Sequence, residues 1–289
     1  MPSPQGQSNA RRSPTRSAPA SARGDRQRPL LLPDQPGDTS TLRACAAAVE
    51  RIDVCQVPGD IPQAFDVANL RFSSFAMYRL HGFCQSGKTF KVAFMLRALS
   101  QPWEPQFVDF MNGVTRTDEW RKDANEMGEV PILDDGDRRL TQSGVILTYL
   151  ASKHGAFGGR TEDDKLEVLR WLFFDNHKLT SYFASYRFMK AFGPSAPDPV
   201  VMGWLRGRLD NAFGILDKHL AGRSFIVGDS PTIADISICG YLFYPVEESG
   251  YEVAGKYGHV AAWLDRVREV PGWADPYDIL PGDYIAPKW

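Results

Sequence analysis

The sequence is short of the residues that build metal and disulfide sites. Its 289 residues include four cysteines and five histidines; Cys45, Cys55, Cys84 and Cys239 lie far apart without a CxxC pair, and no HExxH occurs. That spacing argues against a structural or catalytic zinc site and for a reducing, cytoplasmic setting. No apolar run approaches the about 18 residues needed to cross a bilayer, so no membrane is expected as a partner. The net charge of −2 gives no electrostatic reason to expect nucleic acid either. What is present is 43% apolar residues, enough to bury a substantial core in one large or two medium domains.

The chain changes character near residue 72. From Met1 to about Asp38 it is rich in Pro, Ser, Ala and Arg and shows no helical or strand period, the composition of disorder. The Arg-rich, Ser-rich start has some features of an organellar transit peptide, against which stand Asp25, Asp34, Asp38 and the many prolines. A short isolated helix is expected around Leu42 to Val54. Residues 1–74 are therefore expected to form a disordered extension, either a dispensable tail or an overlong gene start.

From Met77 onward the elements are legible. Met77 to His81 alternates as a strand, and Thr89 to Leu99 reads as a helix with Phe90, Val92, Ala93, Phe94 and Leu96 facing a core. Gln106 to Phe110, Val130 to Leu133 and Arg138 to Leu140 read as further short strands, the last two joined by an Asp135-Gly136 turn. Gln142 to Lys153 is a helix stopped by Gly155. The strand signals then end. Leu166, Leu169, Leu172 and Phe173 follow helical spacing, and Val201, Leu205, Leu209, Phe213, Leu216 and Leu220 do so more strictly. Ile226 to Tyr244 contains an apolar helix whose start is marked by Thr232 and Asp235, three apart. As a capping box each side chain satisfies the other's free amide, a structural role whose loss costs roughly 0.5–2 kcal/mol.

Two stretches carry chemistry. Gly82-Phe83-Cys84-Gln85-Ser86-Gly87-Lys88-Thr89 matches the phosphate-loop pattern G-x-x-x-x-G-K-[ST] between a strand and a helix. A nucleotide-hydrolysing domain also needs a larger parallel sheet and an apolar strand ending in a magnesium-binding Asp. Phe107-Val108-Asp109 is too short for that strand, and Val130 to Asp134 is interrupted by Pro131 and leads into a hairpin. In the second stretch, Gly128 to Gly144, Pro131 cannot donate to a sheet ladder, so the Val130 amide and carbonyl are free to pair with an extended ligand, and the peptide bond between them is a candidate for cis. Gln142 and Ser143 open the next helix, where unpaired amides and the positive dipole end favour a carboxylate. Together these predict a peptide-like anion as guest.

Val130-Pro131, Gln142-Ser143 and the run Gly228-Asp229-Ser230-Pro231-Thr232-Ile233-Ala234-Asp235 make the chain resemble the glutathione S-transferase family from about Met77 to Gly282. The resemblance implies a thioredoxin-like α/β domain over 75–155, ordered β-α-β-α-β-β-α with a mixed sheet, and an all-helical domain over 162–289. It implies that Val130 and Pro131 hold the cysteinyl backbone of glutathione and that Gln142 and Ser143 hold its γ-glutamyl carboxylate. Arg116 falls near the family's basic residue for the glycyl carboxylate, although a plain surface arginine fits equally. Counted back from Lys91-Val92, Ser86 falls at the serine of theta-like and phi-like members, and Cys84 near the cysteine of omega-like ones. A serine hydroxyl favours a thiolate that attacks an electrophile, whereas a cysteine favours mixed-disulfide exchange. Ser86 also suits a plain helix N-cap, Cys84 an apolar filler, and Lys88 and Lys91 solvated helix charges. The aromatic stretch Trp171, Phe173, Phe174, Tyr182, Phe183, Tyr186 and Phe188 suggests a hydrophobic co-substrate pocket, with Phe174, Tyr182 and Tyr186 as its candidates. The resulting expectation is a cytoplasmic, homodimeric detoxification enzyme using glutathione and no metal. The alternatives are a non-catalytic binding protein of the same fold, a Cys84-dependent thiol transferase and, remotely, a nucleotide binder.

Overall fold

The computed structural model describes residues 77–289; the expected extension and the helix at Leu42 to Val54 lie outside the described residues. The chain first forms β1 (Tyr78–Gly82), α1 (Gly87–Ala98), β2 (Trp103–Phe107), α2 (Asp118–Asp123), β3 (Ile132–Asp135), β4 (Arg138–Thr141) and α3 (Ser143–His154). The strands make one mixed sheet in the order β2-β1-β3-β4, with β1 parallel to β2 and antiparallel to β3, and β3 antiparallel to β4. This is the β-α-β-α-β-β-α order expected. The second strand lies three residues earlier than Gln106 to Phe110. Tyr78 pairs with Trp103 and Gly82 with Phe107, and the edge position of β2 lets Pro105 occupy a strand without a missing ladder bond.

Helices follow: α4 (Glu162–Phe174), α5 (Thr180–Ala191), α6 (Pro199–Leu220), α7 (Ile233–Ile238), α8 (Val246–Ser249), α9 (Gly258–Arg268) and α10 (Pro276–Ile279), with a π-helical turn at Asp175–Leu179 between α4 and α5. Their starts are written locally. Thr161 and Asp164 form a capping box on α4, and Asp198 caps α6 ahead of Pro199 at its first position. The Thr232/Asp235 box is present on α7. Asp235 is buried and accepts from the Ile226 and Thr232 amides, the Thr232 hydroxyl and the Trp263 indole. Burial pushes its carboxyl up from the usual range against the pull of those donors.

Two sequence expectations change here. The apolar helix after Thr232 stops at Ile238 and tightens into a 3₁₀ turn at Cys239–Tyr241. Gly240 of that turn meets Gly87 at the start of α1: a Cβ on Gly87 would stand 2.5 Å from the Gly240 carbonyl oxygen, so both helix ends require glycine for their approach. Lys91 is not a solvated charge. Helix α1 is covered by the sheet on one side and by helices on the other, and Lys91 faces the helices, fully buried, donating to Asp175 Oδ2 at 2.6 Å and Thr180 Oγ1 at 2.9 Å. Thr180 and Ser237 also donate to Asp175, at 2.6 Å each, which completes a buried polar knot between the α/β layer and the helices.

Candidate functional site

A cleft of about 400 Å³ opens between the β1–α1 loop, the residues before Pro131, and helix α5. Gln85, Ser86, Lys88, Glu129, Ser185 and Arg187 contribute polar groups to its lining, with Val130 and Tyr241. Phe83, Phe110, Met111, Phe188, Met189 and Phe192 make the remainder apolar, and the Phe83 and Phe110 rings stack at 4.8 Å between centroids. A space of this size, mostly apolar with a few converging polar groups, is what a small-molecule site requires.

Ser86 caps α1. Its Oγ accepts the Thr89 amide at 3.1 Å, and no acceptor for its own proton occurs among the described residues. The N-cap and thiol-activating roles are therefore compatible: the cap uses an oxygen lone pair, and the hydroxyl proton remains free for an anion. Cys84 sits differently. It is fully buried, does not line the cleft, and donates its thiol to the Asp283 carbonyl at 3.5 Å. Burial pushes the thiol up from its ordinary value, away from the thiolate that disulfide exchange requires.

The same loop answers the phosphate-loop match. The Ser86 amide donates to the Phe83 carbonyl, the Cys84 amide to the Pro281 carbonyl and the Thr89 amide to Ser86 itself, so these amides do not converge on a vacant anion cradle. The strand parallel to β1 among the described residues, β2, is a short edge strand with largely exposed side chains, not the buried apolar strand that a magnesium-binding Asp requires.

On the other wall, the Val130–Pro131 peptide bond is cis. The Val130 amide and carbonyl have no hydrogen-bond partner among the described residues, as an extended guest would need. Gln142 occupies the cap position of α3 at φ +66°, a costly conformation for a residue with a side chain, and its side-chain Nε2 donates to Glu129 Oε2 at 3.0 Å. Ser143, buried, is the first residue of α3, and of the expected glutathione contacts on this wall only Val130 lines the cleft, Pro131, Gln142 and Ser143 standing behind Glu129 and Val130 in the chain and outside the lining. Arg116 is exposed at the end of a 3₁₀ turn (Val114–Arg116) and does not line the cleft.

The aromatic stretch of α4 and α5 points to several faces. Phe188 lines the cleft, but Phe174, Tyr182 and Tyr186 do not. Phe174 packs edge-on against Trp171, Tyr182 against Trp204 of α6, and Tyr186 is buried against Tyr251. The cleft side of α5 is instead Ala184, Ser185, Arg187, Phe188 and Met189, continuing to Phe192.

Known proteins share this fold. The sequence model described as "Glutathione S-transferase, N-terminal domain" matches residues 80–160, and "Glutathione S-transferase, C-terminal domain" matches 187–271, together more than half of the chain. The chain belongs to the glutathione S-transferase family. Among relatives of this glutathione S-transferase, Glutathione S-transferase F14 of Arabidopsis thaliana is 25% identical over 181 residues, covering 59% of this chain and 71% of the relative. The crystal structure of a glutathione S-transferase from Pseudomonas fluorescens is 29% identical with a TM-score of 0.63, covering 69% of this chain and 98% of that one. The glutathione transferase URE2P5 of Phanerochaete chrysosporium is 25% identical with a TM-score of 0.64, covering 70% and 94% respectively.

The cleft is also lined by residues to which the sequence assigned no site role. Lys88, expected to be solvated, lines the cleft in the first turn of α1, and its ammonium has no ion-pair partner among the described residues. Arg187 is buried in a helix read only for its aromatics, and Phe83, Phe110 and Phe192 reach the cleft from loops whose placement no periodicity encodes. Among the described residues no cluster of three potential metal ligands occurs, and no helix is long and apolar enough to cross a membrane.

Proposed function

We propose that this glutathione S-transferase lays glutathione along the Val130 backbone, with the γ-glutamyl carboxylate at Gln142 and Ser143 and the sulfur at Ser86. The thiolate then attacks an electrophilic carbon of an apolar or aromatic co-substrate held against Phe83, Phe110 and Phe188. The carbon–sulfur bond forms as the leaving group departs with its electron pair, and the thiol proton is released. The observation that carries the reading is the free proton of the Ser86 hydroxyl in the lining of a cleft rich in aromatic side chains. Lowering a thiol from about 8.5 by two units needs about 2.7 kcal/mol. One hydrogen bond to a charged sulfur supplies about 1.5–3 kcal/mol and the helix dipole up to ~1, so serine suffices without a second nucleophile.

A homodimer suits the surface: Leu166, Leu169 and Phe173 are 65%, 44% and 68% exposed along one stripe of α4, an apolar face that a second copy would cover. The unpaired, buried Cys84 and Cys239 suit a reducing cytoplasm. The experiment compares conjugation of an aryl halide with reduction of a mixed disulfide in the parent, Ser86→Ala and Cys84→Ala proteins. Conjugation lost in Ser86→Ala and kept in Cys84→Ala is expected. Disulfide reduction abolished by Cys84→Ala would move the chemistry to the cysteine, and glutathione binding without either activity would make the protein a binding module.

A further inference from the structure

Arg187 and Glu248 form an ion pair inside the protein, both fully buried, where a charge pair contributes little net stability over apolar packing. Its geometry points toward the site. Arg187 Nε donates to Glu248 Oε2 at 2.6 Å, Nη2 reaches the same oxygen, and Nη1 donates to the Gln85 carbonyl at 2.7 Å. The other Glu248 oxygen accepts the Tyr277 hydroxyl at 2.6 Å. The guanidinium lies 4.0 Å from the centre of the Tyr244 ring, whose hydroxyl donates to the Cys84 carbonyl at 2.7 Å. The carbonyls of Cys84 and Gln85, the two residues before Ser86, are thus both held by the helical domain.

The Gln85 carbonyl and the Ser86 amide belong to one peptide plane. Arg187 fixes that plane at its oxygen, and the Phe83 carbonyl fixes it at its nitrogen, 3.0 Å away. Rotation of this plane would re-aim the Ser86 side chain. Resting on the reading of Ser86 given above, we infer that Arg187, together with the Tyr244 it stacks on, is a positioning residue that aims the Ser86 hydroxyl at the glutathione sulfur. The effect passes through position, because Glu248 neutralises the guanidinium. The charged groups facing the same space are Lys88 from α1 and Glu129 from the segment before Pro131, with Tyr241 beside them and Cys84, Tyr244 and Tyr277 behind. Burial pushes the thiol and the three phenols up, so they stay neutral across the neutral range.

The test is the pH dependence of kcat/KM for aryl halide conjugation in the parent, Arg187→Lys, Tyr244→Phe and Ser86→Ala proteins and in each double variant with Ser86→Ala. Arg187→Lys keeps the charge and loses the fork. It should raise the apparent pKa by about one unit, a tenfold loss below that pKa, with the glutathione KM within about twofold. Tyr244→Phe should move the pKa the same way by less, and it carries the test if Arg187→Lys does not fold. Neither should add anything in the Ser86→Ala background. Shifts that add to that of Ser86→Ala, or a pKa unmoved in Arg187→Lys and Tyr244→Phe while Ser86→Ala moves it, overturn the inference alone. A pKa unmoved in Ser86→Ala overturns the reading of Ser86 itself.

Discussion

Lys91 Nζ stands 2.6 Å from Asp175 Oδ2, an ion pair between helix α1 and the π-helical turn of the helical domain, with both side chains sealed from solvent. Removing one partner strands the other charge in the interior, which costs far more than the pair contributes when intact. Asp175→Ala should destabilise the protein by about 3–5 kcal/mol in urea unfolding, and Asp175→Asn by less because Lys91, Thr180 and Ser237 keep a polar neighbour. A change below about 1 kcal/mol for Asp175→Ala would mean that the knot is not closed in solution.

A second carboxylate makes stability depend on pH. Asp134 accepts from Arg139 Nε at 2.7 Å and pairs with His81 Nε2 at 2.9 Å. The Arg139 hydrogen bond, aided by His81 and opposed by burial, holds its carboxyl down at about 2. The folded value lies below the unfolded one of about 3.9, so the contribution is fully present above about pH 5 and is lost as pH falls towards 2. Unfolding of Asp134→Asn should show a deficit of about 2 kcal/mol at neutral pH that closes as the solution is acidified. A deficit that stays constant with pH would contradict the assignment.

The face of α5 that lines the cleft is testable through the co-substrate. Phe188→Ala should raise the KM for an aryl halide by about tenfold, the worth of part of one buried aromatic contact, and leave the glutathione KM within about twofold. Tyr182→Ala, on the α6 side of the same helix, should leave both unchanged. The reverse pattern would restore the pocket that the aromatic spacing suggested.

What was legible in the sequence was local. The Thr232/Asp235 box, the stop at Gly155, the Val130-Pro131 peptide and the cap at Ser86 are each set by residues within a few positions, and each stands where expected. Lys91 was misread because its partners are 84 and 89 residues away, and Arg187 was missed because the carbonyl it holds is 102 residues earlier. The burial of Cys84 is likewise not local, because the chain near Pro281 and Asp283 that covers it comes from nearly 200 residues on. On α5, aromatic residues occur on several faces, so period gave a helix without saying which face meets the cleft.

The proposed chemistry rests on the Ser86 hydroxyl stabilising the glutathione thiolate. Its most direct test is titration of the bound thiol by ultraviolet thiolate absorbance in the enzyme–glutathione complex. The parent should titrate about two units below the free value of about 8.5, and Ser86→Ala should move that midpoint up by one unit or more while glutathione still binds. An unchanged midpoint in Ser86→Ala, with glutathione bound, would contradict the account.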